Sequence, residues 1–339
     1  MRIAKLPNLI LLDLSCNGFV NEIPTLLTTL KKLMELNLAS NNQLKGSLPK
    51  NLLAMHSLGY LDLSNTNLEG SLPTTVEAYA LPLIYLDLSY NHLTHDILNA
   101  MSALSTLKHL RLHANRFNNS DAPTALLHMS RLISLEISDN RFTFQLPSGF
   151  GFNVSSLQHL AAGNNRLTGS IPESLTQLTN LFFLDLGYNA LSGSLPSSLL
   201  SLPLLLEAHL GHNSLAGSFP ADTPTSALRV LDISWNKLRG ALPKLLASST
   251  NLGSLDLSHN QFTGAIPSEW SALVNLSTVN LGFNGLTGRI PSGFHALTKL
   301  YAFYAPHNRL SGSSAGAFAA RRRNHGADLP RPELQPRER

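Results

Sequence analysis

A motif of two apolar residues spaced two apart and followed by asparagine recurs along the whole chain. The asparagines are Asn17, Asn41, Asn91, Asn115, Asn140, Asn165, Asn189, Asn213, Asn236, Asn260, Asn284 and Asn308, with Thr66 on the one remaining rung, at steps of 23–25 residues. A period of this length constrains the fold more than any other feature. Each unit is too small to bury its apolar side alone, so neighbours must stack and share one continuous core. The 339 residues would otherwise suggest two or three domains. The period instead predicts a single solenoid of about thirteen repeats over residues 1–312.

Each part of the unit has its own task. Leu12-Asp-Leu-Ser-Cys-Asn17 recurs as Leu86-Asp-Leu-Ser-Tyr-Asn91, Leu184-Asp-Leu-Gly-Tyr-Asn189 and Leu255-Asp-Leu-Ser-His-Asn260. Leucines two apart point to one face of a short strand, and successive strands pair in parallel. Thirteen strands at ~4.8 Å spacing extend over roughly 60 Å. The asparagine amide has two donors and an acceptor, enough to satisfy backbone groups left unpaired where the chain turns inside the coil. A Gly-x-x-Pro segment follows, as at Gly46–Pro49, Gly169–Pro172, Gly193–Pro196, Gly240–Pro243 and Gly264–Pro267. Glycine permits close backbone approach, and proline fixes an extended turn. The return to the next strand is expected to be irregular or 3₁₀ helix. Residues 92–125 lose the Gly-x-x-Pro and carry His95-Asp-Ile-Leu98 and Asn118-Asn-Ser-Asp-Ala-Pro123 instead.

The unit Leu-x-x-Leu-x-Leu-x-x-Asn-x-Leu-x-Gly-x-Ile-Pro resembles the plant-type extracellular leucine-rich repeat of receptor-like proteins, receptor kinases and polygalacturonase-inhibiting proteins. The resemblance covers about 310 of the 339 residues. It implies an α/β solenoid: a superhelix with a parallel β-sheet on the concave face and irregular or 3₁₀ segments on the convex face. Relatives usually begin with a cysteine-bearing cap, and receptor members continue into a membrane helix or a kinase domain. None of these is visible here, so the chain is expected to be a truncated relative of a receptor ectodomain.

Hydrophobic residues make up 43% of the chain and charged residues 14%. The formal charge of +4 does not indicate nucleic-acid binding. Residues 313–339 carry six arginines against three acids, leaving +1 for the rest of the chain. That Ala/Arg/Pro-rich tail lacks apolar periodicity and is expected to be disordered. The single cysteine, Cys16, excludes an internal disulfide and a cysteine-based zinc site. No apolar run reaches the roughly 18 residues of a spanning helix. Met1–Leu14 has leucines in repeat register and is interrupted by Asp13, so it reads as repeat rather than leader.

Two files of outward residues can be traced by register. One directly precedes the ladder asparagine: Tyr90, then Tyr188, His212, Trp235, His259, Phe283 and His307 in six consecutive repeats. Aromatic and histidine side chains give large contact area at low entropic cost, as interface anchors do. Ser-Tyr-Asn and Ser-His-Asn are also ordinary for this repeat type, so a purely structural stripe is the alternative. The second file lies between the two strand leucines and defaults to Asp, as at Asp13, Asp62, Asp87, Asp185, Asp232 and Asp256. Arg111, Ala161, His209 and Tyr304 break it. Around Arg111, the residues Lys108, His109 and His113 are expected to share its strand as a small basic patch for an anionic or peptide ligand, or else a solvated face. Seven histidines lie on or beside the strands, namely His109, His113, His159, His209, His212, His259 and His307, so binding is expected to change across mildly acidic pH. Asn118, Asn153 and Asn275 begin glycosylation sequons.

No catalytic constellation emerges. Gly-x-Ser-x-Gly does not occur in a strand-to-helix setting, and a Gly-Lys phosphate loop, His-Glu-x-x-His and a Rossmann glycine pattern are absent. The expectation is a non-catalytic module without metal or cofactor. His209 and His212 fall at different turns of a strand end and make no zinc site. The resemblance implies a protein or peptide ligand, with a co-receptor or glycan as further partners, in extracellular or plasma-membrane signalling or defence. Two alternatives stay open: a secreted inhibitor of a cell-wall-degrading enzyme, and a remnant without ligand.

Overall fold

A computed structural model of the protein describes residues 5–72, 82–95, 104–118, 124–220 and 227–312. The tail 313–339 and, within the irregular segment 92–125, residues 96–103 and 119–123 lie outside the described residues.

Among the described residues, thirteen three-residue strands, from Leu11–Asp13 to Ala302–Tyr304, pair in parallel in strict sequence order. The register does not slip. Leu12 lies beside Leu36, Leu61 beside Leu86, and Leu231 beside Leu255. The middle residue of each strand points inward and its two neighbours outward, which is why the Leu-x-Leu spacing selects strands. The second inward leucine is equally buried, as at Leu63, Leu186 and Leu257. Each such leucine contributes ~2 kcal/mol by removing apolar surface from water.

On the opposite side, short 3₁₀ turns such as Thr25–Thr29, Glu173–Gln177 and Ser268–Ala272 bring the chain back. Pro24, Pro172 and Pro267 precede these turns in an extended conformation, where no backbone donor is required. The glycine of Gly-x-x-Pro has a further task that the sequence did not disclose. At Gly46, Gly169, Gly240 and Gly288 among others it takes φ of +75° to +91°, a left-handed conformation. Gly46, Gly240 and Gly288 sit in two flanking sheets, one of five strands from Val20–Asn21 to Arg116–Phe117 and one of six from Ser192–Gly193 to Arg309–Leu310, and Gly169 lies between the two. Between them, among the described residues, this flank has only the bridges Gln145–Thr168 and Ser170–Ser192. There the returning segment is an α-helical turn, Phe150–Asn153, pressed so close that a Cβ on Gly151 would collide with the Ser174 carbonyl oxygen.

From Asn41 to Asn308 the asparagines of the ladder use both ends of the amide. Asn236 Nδ2 donates to Leu210 O (3.0 Å) in the preceding repeat and to Ile233 O (3.2 Å) in its own, while Oδ1 accepts from Leu215 N (2.9 Å). One rung therefore ties two repeats together. Thr66 shows what the amide oxygen does. Its hydroxyl reaches Leu63 O and Asn91 Oδ1, but nothing replaces the acceptor for Leu44 N, which donates instead to the Asn41 carbonyl (2.9 Å).

Candidate functional site

The residue before each ladder position is forced into the left-handed region. Its backbone N–H donates to a carbonyl of the next repeat, as Tyr188 N does to Gly211 O and Trp235 N to Ser258 O, both at 2.9 Å. Left-handed φ costs an ordinary residue roughly 1–2 kcal/mol, least for Asn and Asp. In the first half of the solenoid this position holds Cys16, Ser40, Asn65, Tyr90, Ala114, Asp139 and Asn164. In the second half it holds Tyr188, His212, Trp235, His259, Phe283 and His307, all at φ of 50–56°. Backbone preference does not explain these six rings.

The rings form one stack. Successive centroids lie 4.0, 5.2, 3.6, 4.0 and 4.1 Å apart, with interplanar angles of 12–21°. Interior ring faces therefore cover one another and outer edges meet solvent. Tyr188 remains 60% exposed and Trp235 49%. Burial holds the His212 imidazole below the ordinary histidine range, against the opposing pull of Asp232. The same cause lowers His259, opposed by Asp256. His209 Nε2, three residues before His212, lies 3.3 Å from Glu207 Oε2.

The expected basic patch takes a different form. Lys108 stands just before the strand His109–Arg111, and His113 follows it. Arg111 is already engaged: Nε donates to Glu136 Oε1 (3.0 Å), Nη1 donates to the Tyr85 hydroxyl oxygen (3.1 Å), and Nη1 lies 3.8 Å from Asp87 Oδ2. His113 Nδ1 lies 3.6 Å from Glu136 Oε2, and its ring meets Tyr90 edge-on at 5.0 Å. Neighbouring rungs thus place a cation between two carboxylates, while exposed Lys108 stands outside this network and His109 meets the Tyr85 ring at 6.0 Å. Burial, with Arg111 adding to it, lowers His109. Burial raises Asp87 despite two hydrogen bonds from Ser89.

A third outward file, at the first residue of each strand, was missed in the sequence although the register carries it. Tyr60 and Tyr85 stack at 4.3 Å, and His159 stacks on Phe183 at 4.4 Å with 4° between planes. Burial lowers His159.

Asp185, Asp232 and Asp256 form the acidic file beside the ring stack. Each accepts the backbone N–H two residues on through Oδ1, at 2.9 Å. Among the described residues none of the three has a salt bridge. No group of three His, Cys, Asp or Glu side chains there has a metal-binding arrangement, and no helix is long and apolar enough to cross a membrane. Asn118 and Asn153 are exposed, with Asn153 Nδ2 donating to Gly149 O (2.9 Å). Asn275 is half-buried and committed at both amide ends, to Thr250 O (2.8 Å) and to Lys299 Nζ (2.6 Å).

Two leucine-rich-repeat family models match, one over residues 130–191 and one over 57–78, 82–104, 227–249, 251–273 and 275–297. Receptor-like protein 35 of Arabidopsis thaliana is 38% identical over 174 residues, half of this chain and 18% of that protein. The Arabidopsis receptor kinase HAESA, solved with the peptide hormone IDA and the co-receptor SERK1, is 30% identical. It superposes with a TM-score of 0.86 over 92% of this chain and 52% of its own. The structure of PEPR1 with AtPEP1 is 31% identical, with a TM-score of 0.78 over 91% of this chain and 46% of its own. The chain thus spans about a fifth of the curated relative and about half of each solved ectodomain.

Proposed function

The chain belongs to the leucine-rich-repeat family, and from that premise we propose that its concave face recognises a protein or peptide ligand, as part of a plant receptor-like ectodomain in signalling or defence. The observation that carries this reading is the six-ring stack. Rings occupy six consecutive left-handed positions, whereas among the seven earlier ones only Tyr90 is a ring, and they stay open to solvent. Anchors of this kind give contact area without a large loss of rotamer freedom. The peptide hormone and co-receptor bound to HAESA support a ligand of peptide class, with a co-receptor as second partner. A glycan ligand, extracellular placement and glycosylation at the exposed Asn118 and Asn153 belong to the same reading.

The test is selection of displayed random peptides on the full chain, repeated with Trp235→Asn/Phe283→Asn. Peptides enriched on the parent and lost from the variant, with an unchanged thermal midpoint, are expected. Enrichment that is equal on both would refute the reading.

A further inference from the structure

Resting on that recognition reading, the geometry points to one ligand class for the part of the concave face between Phe183 and His307: an extended peptide segment bearing Lys or Arg side chains. The face has the form of a shallow channel. One rail is the ring stack. The other is the outward file Asp185, His209, Asp232, Asp256 and Asn280, three residues before each ring and so about 10 Å away along the chain. The floor between them is Gly187, Gly211, Ser234, Ser258 and Gly282, small enough for a ligand backbone to lie close.

The negative charge of the acidic rail is surplus to the fold. The structural task of this position is to accept the N–H two residues on, and Asn37 and Asn280 do it with a neutral amide, at 3.0 and 3.1 Å. Asp232 and Asp256 nevertheless stand directly beside each other in register. Like charges so placed on a sheet destabilise it. Asp256 Oδ2 accepts only from the neutral amide of Asn280 (3.0 Å), and no described cation answers either carboxylate. His209 lies between Asp185 and Asp232 but is held by Glu207, while Arg229 precedes the strand Val230–Asp232 at the far rim. A ligand cation supplies what the chain omits.

The ring stack narrows the class further. Interior faces are covered, so a sugar ring or base cannot lie flat on them. The exposed edges instead flank the aliphatic stems of Lys or Arg while their heads reach the carboxylates. An acidic oligosaccharide would add like charge to the rail.

Fluorescence anisotropy of the full chain with a labelled Gly-Arg repeat octapeptide, and with its Gly-Glu counterpart, tests this at about pH 7.5 and low salt. The Arg peptide is expected to bind and the Glu peptide not. Asp232→Asn/Asp256→Asn should weaken the Arg peptide roughly tenfold, whereas Asp62→Asn in the other half should not. Asparagine already serves at this position, so the variants keep the fold. Equal binding of both octapeptides, or an equal loss with Asp62→Asn, overturns the proposal. A library-selected peptide without Lys or Arg that depends on Trp235 removes the charge assignment and leaves recognition standing. If neither octapeptide binds and selection yields nothing, both are removed.

Discussion

Two stretches of one sheet, built on the same repeat, dispose of their polar side chains in opposite ways. Between Tyr60 and His113 the adjacent carboxylates Asp62 and Asp87 have a cation beside them: Arg111 lies between Asp87 and Glu136, and Tyr85 joins it through its hydroxyl. Between Tyr188 and His307 Asp232 stands beside Asp256 without a cation, and rings occupy backbone positions that disfavour them. The first stretch is closed on itself and contributes to holding the solenoid. The second is left open, which is the arrangement a partner can complete. An outward charge in a repeat protein therefore tells little until its neighbours one rung away are known.

The largest expected effect tests the closed half. Arg111→Ala leaves Asp87, only 5% exposed, and Glu136 without their cation. A loss of about 2–3 kcal/mol in chemical denaturation follows, discounted because Arg111 itself is partly exposed. An unchanged midpoint would show that this network is as dispensable as a surface pair.

Next comes the ladder on which both halves stand. Thr66→Asn restores the amide rung, whose oxygen can take over Leu44 N from the Asn41 carbonyl, and should stabilise by about 1 kcal/mol. A lower midpoint would mean that the repeat has adapted around threonine.

The open half should respond differently. Trp235→Asn removes stacking worth ~1 kcal/mol and relieves left-handed strain of similar size, so net stability should change by less than ~1 kcal/mol. A loss above about 2 kcal/mol would make the stack a structural device and erase the contrast.

The smallest effect is with pH. His109, His159, His212 and His259 bind protons less readily when folded, chiefly because they are buried. As pH falls through the ordinary histidine range the unfolded chain takes up more protons, so the stability present above that range is progressively lost. Asp87 and Asp185, raised by burial, act in the opposite sense at lower pH. The thermal midpoint should thus be lower at about pH 6 than at about pH 7.5. Protonated His212 and His259 also set positive charge near Asp232 and Asp256, so affinity for the Arg octapeptide should fall over the same interval. A flat midpoint would place these rings in water.

The fold was legible because leucine spacing and the asparagine rung are each dictated locally, and every repeat states them again. The ring file was legible as a file, since position before the asparagine is a matter of counting. Its left-handed backbone was hinted at by Asn65, Asp139 and Asn164, but bulky Tyr188 and Trp235 hid the hint. The Arg111 network was misjudged along the strand, where Lys108, His109 and His113 look basic. Its partners lie across strands, 24 or 25 residues away, and only rung-by-rung alignment brings Asp87 and Glu136 beside it. The Tyr60–Tyr85 pair went unseen for the same reason.

Hydrogen–deuterium exchange of the full chain with and without a library-selected peptide tests the division of the face most directly. Protection on binding is expected in the strands and following turns from 183 to 307, with residues 60–113 unchanged. Protection confined to 60–113, or to the convex 3₁₀ turns, would contradict it.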